Sequence, residues 1–497
     1  MTRQLILLFL MMSVSAFIYQ SCNTQNRDTN NWPRFRGING SGVAYPGEDP
    51  PIDLESVNNI LWKIPLISGA SSPCIWGDKI FITGFDKDKQ QLQVICLDRL
   101  TGQQTWLQMV PAKKIERFHS VGSPADATPV TDGERVYVYF GSYGLLCYDF
   151  NGEVIWTREL PVNNDQFGSG TSPILSENLL FLIVRRVDRK ERYLLALDKK
   201  NGEQVWRQDL MEAGYSTPVI WGDVVIVHGE GFVSGYKIND GGRDWNLLVR
   251  TGGESSPVVH DSIIYLNAWH WLGHYHYPGE IPEIPEFLKI YDTNKDDLFS
   301  REEFPEQYFP SSRSENDDGS ENISKRNKEI WDWFETDQNG FIDTTELQRY
   351  INFCVAADQG IIALESGLNG DITENQILWR ETQNLAEIPS PLHYKDRIYV
   401  IKEGGFFSCI NAHTGELLYL NRIKGTGPFF SSPVAANDHI YVCSHNGKVV
   451  VLAAGDEFKI LSTNNLKEKI LATPAIVDNR IYIRTENYLH AFGNGEL

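Results

Sequence analysis

Ser216-Thr217-Pro218-Val219-Ile220-Trp221-Gly222-Asp223-Val224-Val225-Ile226-Val227-His228 holds the unit from which this chain is built. A hydroxyl-proline pair opens a short apolar run, Gly222-Asp223 supplies a turn, and a second run over 224–228 leads to a third over 235–238. β-branched and aromatic runs between Gly, Asp and Asn turns read as strands. The same opening recurs at Pro73, Pro129, Pro173, Pro257, Pro391, Pro433 and Pro474, eight times with Pro218. Most intervals are about 40 to 55 residues, the length of one four-stranded blade and too long for a leucine-rich or hexapeptide coil. The one long interval, Pro257 to Pro391, must therefore hold an insertion.

Each third run ends in a polar turn with glycine, followed four residues later by an aromatic: Gly102 and Trp106, Gly152 and Trp156, Gly202 and Trp206, Gly241 and Trp245, Gly415 and Tyr419. Glycine suits a turn with positive φ, and a large ring fills the wedge between neighbouring blades. In the fifth repeat the turn is stretched, so that Gly370 precedes Trp379 by nine. The last repeat stops at 488–492 with no fourth strand, whereas 59–66 carries Trp62 in the fourth-strand pattern with no blade in front of it. Joining the two closes the ring and leaves no free sheet edge. The expectation is an all-β, eight-bladed β-propeller with a small α-helical insertion in blade five. Residues 1–21 form a signal, 22–55 a tether and N-terminal segment, 56–269 blades one to five with the closing strand, 270–352 the insertion, and 353–497 the remainder through blade eight.

The pattern D-x-x-T-G-x-x-x-W (Asp98, Thr101, Gly102, Trp106) and the Ser-Pro openings resemble the repeat of pyrroloquinoline-quinone-like propellers, a group that includes quinoprotein alcohol dehydrogenases and the BamB outer-membrane assembly lipoprotein. Trp32-Pro33-Arg34-Phe35-Arg36-Gly37, followed by Asn39, Gly40 and Gly42, is similar to the mature amino end of a family of exported repeat proteins of this type. Such a repeat specifies fold far better than function.

With 497 residues, 41% of them apolar, there is ample material for a core, and propellers grow by adding blades rather than domains. A net charge of −20 with no basic stripe argues against a nucleic-acid partner. Arg3, an apolar run over 5–18 and Gln20-Ser21-Cys22 resemble a bacterial lipoprotein signal with a relaxed lipobox. On that reading Cys22 carries the lipid, the polar stretch over 23–31 is a tether, and the protein lives in the cell envelope, periplasmic or surface-facing on the outer membrane. Cys96, Cys147 and Cys409 fall at equivalent third-strand positions of different blades, so the six remaining cysteines read as buried free thiols.

The insertion carries the most specific chemistry. Asp292, Asn294, Asp296, Ser300 and Glu303 place oxygen ligands at positions 1, 3, 5, 9 and 12 of a loop, with the Leu298 carbonyl at 7, which is EF-hand spacing. A second loop runs through Glu335, Asp337, Asn339, the Phe341 carbonyl, Asp343 and Glu346, and the two pair through their eighth positions, Phe299 and Ile342. Calcium is the cofactor implied. Asp297 stands where glycine normally takes a left-handed conformation, and Glu335 has one methylene more than the usual first ligand, so affinity is expected in the weak range of about 10⁻⁴ to 10⁻³ M. Between residues 280 and 352, 19 acidic and 8 basic residues carry −11 of the net −20.

The insertion leaves after the second strand of blade five, on the face where the hydroxyl-proline pairs ring the channel mouth. Trp269-His270-Trp271 and His274-Tyr275-His276-Tyr277 sit at that corner, and Arg117, His119 and Glu254 lie just upstream of hydroxyl-proline pairs. His270, His274 and His276 at i, i+4 and i+6 have the elements of a transition-metal site, but no carboxylate completes a ligand set. The aromatics of this corner have the faces to stack on a sugar or a quinone. The corner reads rather as an aromatic hinge packing the insertion onto the propeller, with the histidines hydrogen-bonded. Trp269, His270, His274 and His276, with His119 and Glu254, are the candidate ligands at the channel mouth. The adjacent cysteine pair of many quinoprotein dehydrogenases is missing, so pyrroloquinoline quinone is not expected. The function that follows is a membrane-anchored binding propeller with a protein or glycan partner; the alternative is a quinone-dependent alcohol or sugar dehydrogenase, and glycan processing at the His/Trp corner is a third.

Overall fold

The computed structural model describes residues 31–494 apart from 164, 166, 187–190, 272–281, 305–330, 332–333, 336, 338 and 366. Eight antiparallel sheets follow one another around a central channel, each starting just after one of the eight prolines. The fourth blade shows the unit in full: Val219–Trp221, Val224–Gly229, Phe232–Lys237 and Arg243–Leu248, paired in that order from the channel outwards. Ring closure is as the sequence implied. Ile60–Pro65 pairs antiparallel with Tyr488–Gly493, setting Trp62 opposite Ala491, and completes the eighth blade.

The repeated tryptophan locks each blade to the next. The Trp62, Trp106, Trp156, Trp206 and Trp379 indole N–H groups donate to the carbonyls of Arg99, Phe150, Lys199, Ile238 and Ala412, at 2.8–3.2 Å. Each ring also lies flat on the turn glycine of the following blade. A Cβ at Gly102 would come within 3.0 Å of Trp62, and one at Gly202 within 2.6 Å of Trp156, so the glycine is needed for close approach as well as for its φ of +73°. Trp245 is the exception. The stretched turn of blade five gives it no glycine to cover, and Gly370–Asp371 instead adds a short parallel strand beside Trp245 and Asn246.

The six described cysteines are all free and buried. Cys96, Cys147 and Cys409 sit opposite Trp106, Trp156 and Tyr419 in separate sheets, where thiols serve as small apolar fillers.

The insertion has its own core, built on Phe287, Phe299, Phe304, Trp331, Phe334, Ile342, Leu347 and Tyr350. The described residues bound two helices there, α1 (Ile284–Tyr291) and α2 (Thr344–Val355). The return to the propeller comes later than the apolar pattern suggests. Cys354 still belongs to α2, buried with Leu347, Tyr350 and Ile351 at helical spacing, and the third strand of blade five begins only at Gly360. No helix among the described residues is long and apolar enough to cross a membrane.

Candidate functional site

At the channel mouth the residue before each proline closes a ring. The backbone amide of Ser72 donates to the hydroxyl of Thr128, Thr128 to Ser172, Ser172 to Thr217, Thr217 to Ser256, Ser256 to Ser390, Ser390 to Ser432, Ser432 to Thr473, and Thr473 back to Ser72. All eight bonds are 2.9–3.1 Å. Proline has no amide of its own to offer, so its predecessor carries the link between blades. Serine and threonine are interchangeable here because only the hydroxyl matters.

The other end of the channel is filled by the chain itself. Asn31–Trp32 pairs with the inner strand of blade one, and the Thr131 amide of blade two donates to the Pro33 carbonyl at 2.9 Å. Arg36 Nη2 donates to the Pro391 carbonyl of blade six at 2.6 Å, and Val43 bridges Ala435 of blade seven. The segment thus crosses the channel, with Trp32 and Arg36 fully buried. Gly37 (φ +67°) allows the turn onto the Trp32 ring, 2.6 Å from where a Cβ would stand.

Above the ring, the mouth face holds a chain of ion pairs. Arg185 joins Asp165 at 3.0 Å and Glu230 at 3.8 Å; Arg349 of α2 reaches Glu230 at 2.9 Å and Glu212 at 3.5 Å; Arg192 meets Glu212 at 2.8 Å. Arg250 donates to the Phe353 and Cys354 carbonyls at the end of α2, at 3.3 and 3.2 Å, where a cation suits the helix dipole. The insertion is therefore docked on blades three and four. A cavity of about 270 Å³ remains between them, walled by Arg192, Glu212, Glu230, His270, Arg349 and Phe353 among others.

Further buried acids sit on the same face. Burial pushes the Glu116 carboxyl up to about 8, although Ser169 donates to it at 2.8 Å, and pushes Asp126 and Glu403 up to about 7. Exposed apolar side chains stand beside them on the loops leading into blades two to four: Phe118, Phe167 and Met211 are 39%, 48% and 42% exposed.

A family model described as outer membrane protein assembly factor BamB matches residues 62–183, 148–268 and 368–458, together more than half of the chain. The chain belongs to this BamB family. Solved structures agree on the fold. BamB from Moraxella catarrhalis superposes with a TM-score of 0.54 at 13% identity, covering 87% of this chain and 97% of its own. Quinohemoprotein alcohol dehydrogenase from Comamonas testosteroni gives 0.58 at 10% (95% and 82%), and a europium-containing methanol dehydrogenase 0.55 at 11% (94% and 98%). At these identities the likeness is one of fold alone. No curated protein matches the chain in sequence.

In this BamB-family chain the residues singled out from sequence fall into separate groups. His270 is 2% exposed, its ring against Trp271 and Phe353, its amide donating to Gln359 at 3.0 Å, and burial holds its imidazole down at about 3. Trp269 is buried, and its carbonyl accepts from the Gly252 amide at 2.7 Å, just upstream of the Ser256-Pro257 pair. Both pack the insertion's root. His119 stays exposed, its ring 5.7 Å from that of Phe167, while burial raises the Glu254 carboxyl, which folds back over Gly252. His274, His276 and Cys22 lie outside the described residues.

The two acidic loops lie side by side, with Phe299 and Ile342 exchanging both backbone hydrogen bonds at 2.9 Å. In the first, Glu303 curls back to accept from Thr293 and Ser300, which holds its carboxyl down at about 2, and Asp292 accepts from the amides of Lys295 and Asp297. Asp297 takes the left-handed conformation, φ +61°, that its place in the loop requires. In the second, Glu335 accepts from the Gly340 amide, and Asp343 with Glu346 forms the capping box that starts α2. Asn294 donates to Asp296, and Asn339 accepts from the Phe341 amide. Leu298 and Asp337 complete the loops. Among the described residues no three His, Cys, Asp or Glu side chains stand close enough to share a metal ion. The loop carboxylates instead spend their oxygens on amides.

The ring and the ion-pair chain were not legible in sequence. Bonded members of the ring are 39 to 401 positions apart and those of the ion-pair chain 20 or more, and a hydroxyl before proline carries no local sign of its partner.

Proposed function

We propose that this BamB-family chain is an envelope-anchored binding propeller that meets a protein or glycan partner on its hydroxyl-proline face, with calcium ordering the insertion docked there. One observation carries the reading: the channel is crossed by residues 31–44, while exposed Phe118, Phe167 and Met211 stand on the opposite face, Met211 against the docked insertion. Exposed aromatic and methionine side chains favour recognition surfaces. The calcium assignment is supported by the all-oxygen donor set and the reciprocal Phe299–Ile342 bridge, which suit a hard cation held by paired loops. Asp292, Asn294, Asp296, Leu298, Ser300 and Glu303 would hold one ion, and Glu335, Asp337, Asn339, Phe341, Asp343 and Glu346 the other. Anchoring rests on Cys22, and membrane fractionation of Cys22→Ala tests it: release supports the anchor, retention contradicts it.

The competing reading, a quinone-dependent dehydrogenase, is favoured by the buried acids Glu116 and Asp126 above the ring, which burial raises to where a carboxyl exchanges its proton near neutral pH. Dye-linked alcohol oxidation after addition of pyrroloquinoline quinone separates the two. Activity that disappears in Glu116→Gln would establish the dehydrogenase; no activity, with a partner retained from membranes and lost on Phe167→Asp, would establish the binding propeller.

A further inference from the structure

The loop entering blade two runs against the charge of the whole chain. Over residues 111–121 it carries Lys113, Lys114 and Arg117 with one acid, Glu116, in a protein of net charge −20. All three cations are exposed, and none makes a hydrogen bond or an ion pair among the described residues. The acid does not offset them. Glu116 is 4% exposed and turned inwards to accept from Ser169 at 2.8 Å, and burial raises its carboxyl to about 8, so it is largely protonated at neutral pH. On the same face Lys89, Arg185 and Arg349, by contrast, each have an acid of the fold within reach: Asp86 at 2.9 Å, Asp165 at 3.0 Å and Glu230 at 2.9 Å.

Two exposed aromatic rings stand beside these charges, and both are held in place. Phe118, next to Arg117, packs edge-on against buried Phe85 at 6.1 Å. Phe167 is flanked by His119 at 5.7 Å and Tyr215 at 5.9 Å. The two loops touch, since a Cβ at Gly168 would lie 3.4 Å from the Phe118 Cβ and 3.3 Å from the Arg117 carbonyl. Rings fixed in advance lose little freedom on binding, and phenylalanine has no polar tip to offer a sugar, so apolar side chains are their complement. Unpaired cations at the edge of the same patch call for carboxylates. On the anchored reading a lipid surface fits less well, because the chain enters at Asn31 on the opposite end of the channel and turns this face away from its membrane.

We propose that the loop over 113–119, with Phe167 beside it, binds an acidic, apolar protein segment. Its aspartate or glutamate side chains meet Lys113, Lys114 and Arg117, and its aliphatic or aromatic side chains cover Phe118 and Phe167. This rests on the binding-propeller reading and adds the chemistry of the partner to it. The cations lie at the edge and set the rate and salt dependence of association, whereas the rings set the lifetime of the complex.

A carbodiimide joins carboxylates to lysine amines without a spacer, so on intact envelopes it reads the proposed contact directly. Expected are cross-links from Lys113 or Lys114 to aspartate or glutamate of another polypeptide, next to apolar residues of that sequence, which disappear in Phe167→Asp. A synthetic peptide of the cross-linked sequence should then bind the purified full chain, more tightly at low salt than at high. The triple variant Lys113→Glu, Lys114→Glu, Arg117→Glu should weaken that binding about tenfold and flatten its salt dependence, while Lys424→Glu on the same face and Lys200→Glu on the opposite one leave it unchanged. If a lysine-to-lysine reagent joins a partner to these loops but the carbodiimide does not, or if the peptide is indifferent to the triple variant, the inference is overturned and the binding propeller stands. Preferential binding of phosphatidylglycerol vesicles or of alginate, lost in the triple variant, would assign the cations to a lipid or a glycan and overturn it too. A chain that no reagent joins to any partner would sink both.

Discussion

The backbone amide of Thr473 donates to the hydroxyl of Ser72 at 3.0 Å, joining the last blade to the first across 401 positions of sequence. It is the eighth bond of a ring and works beside the strand exchange that places Trp62 opposite Ala491. One closure acts at the channel and the other at the rim, so the circle is fastened at both radii.

Ser72→Ala should therefore destabilise the propeller by about 1–3 kcal/mol, because it strands a buried amide rather than removing both partners. Ser72→Thr should be close to neutral, since threonine already fills ring positions 128, 217 and 473. Urea unfolding of the three proteins measures the difference.

Trp62→Ala should cost about 3 kcal/mol and open the closing strand locally. Hydrogen exchange is expected to speed up across Ile60–Pro65 and Tyr488–Gly493 and to stay slow in blades three and four. Uniform acceleration would mean that closure is shared around the ring instead.

Glu116 sets a pH dependence. Its carboxyl titrates near 4.5 when unfolded and near 8 when folded, so its contribution is complete below 4.5 and is lost as pH rises through 8. His228 acts in the opposite sense. Burial holds its imidazole at about 4, between the Ser255 carbonyl and the Thr251 hydroxyl, so its contribution is present above 6.5 and lost as pH falls through 4. Thermal midpoints should fall between pH 5 and 8 in the wild type, and this fall should be shallower in Glu116→Gln.

Arg349→Ala should release α2 from blades three and four, since Arg349 reaches both Glu212 and Glu230 from the insertion. Limited proteolysis is expected to cut the insertion faster while the propeller keeps its melting point. Unchanged cleavage would show that Arg250 at the end of α2 suffices.

Calcium should bind to the insertion and leave the blades indifferent. Glu303→Gln with Glu346→Gln should abolish most of the calorimetric signal. A chelator that unfolds the β-sheets would place the ion in the propeller instead.

Periodicity was enough to find the blades, because each proline and each turn glycine answers to geometry within one repeat. The Trp62 closure was legible too, since an orphan fourth strand and a missing one leave a single pairing. The stretched turn before Trp379 signalled an irregularity but not its form, the short strand beside Trp245. The return to the propeller, read at residue 353, was placed too early because the buried face of α2 reads as apolar residues whether strand or helix follows. Arg349 and Arg36 were opaque for another reason: a charged side chain shows its meaning only through what surrounds it, and here that is supplied by distant blades.

The most direct test of the binding propeller is cross-linking mass spectrometry on intact envelopes, comparing the wild type with Phe118→Asp and Phe167→Asp. Cross-links from a partner to the loops carrying Phe118, Phe167 and Met211 and to the insertion, lost in both variants while the protein stays folded, are the predicted result. Cross-links confined to the opposite face around Asn39 and Lys395, unchanged by either variant, would contradict the account.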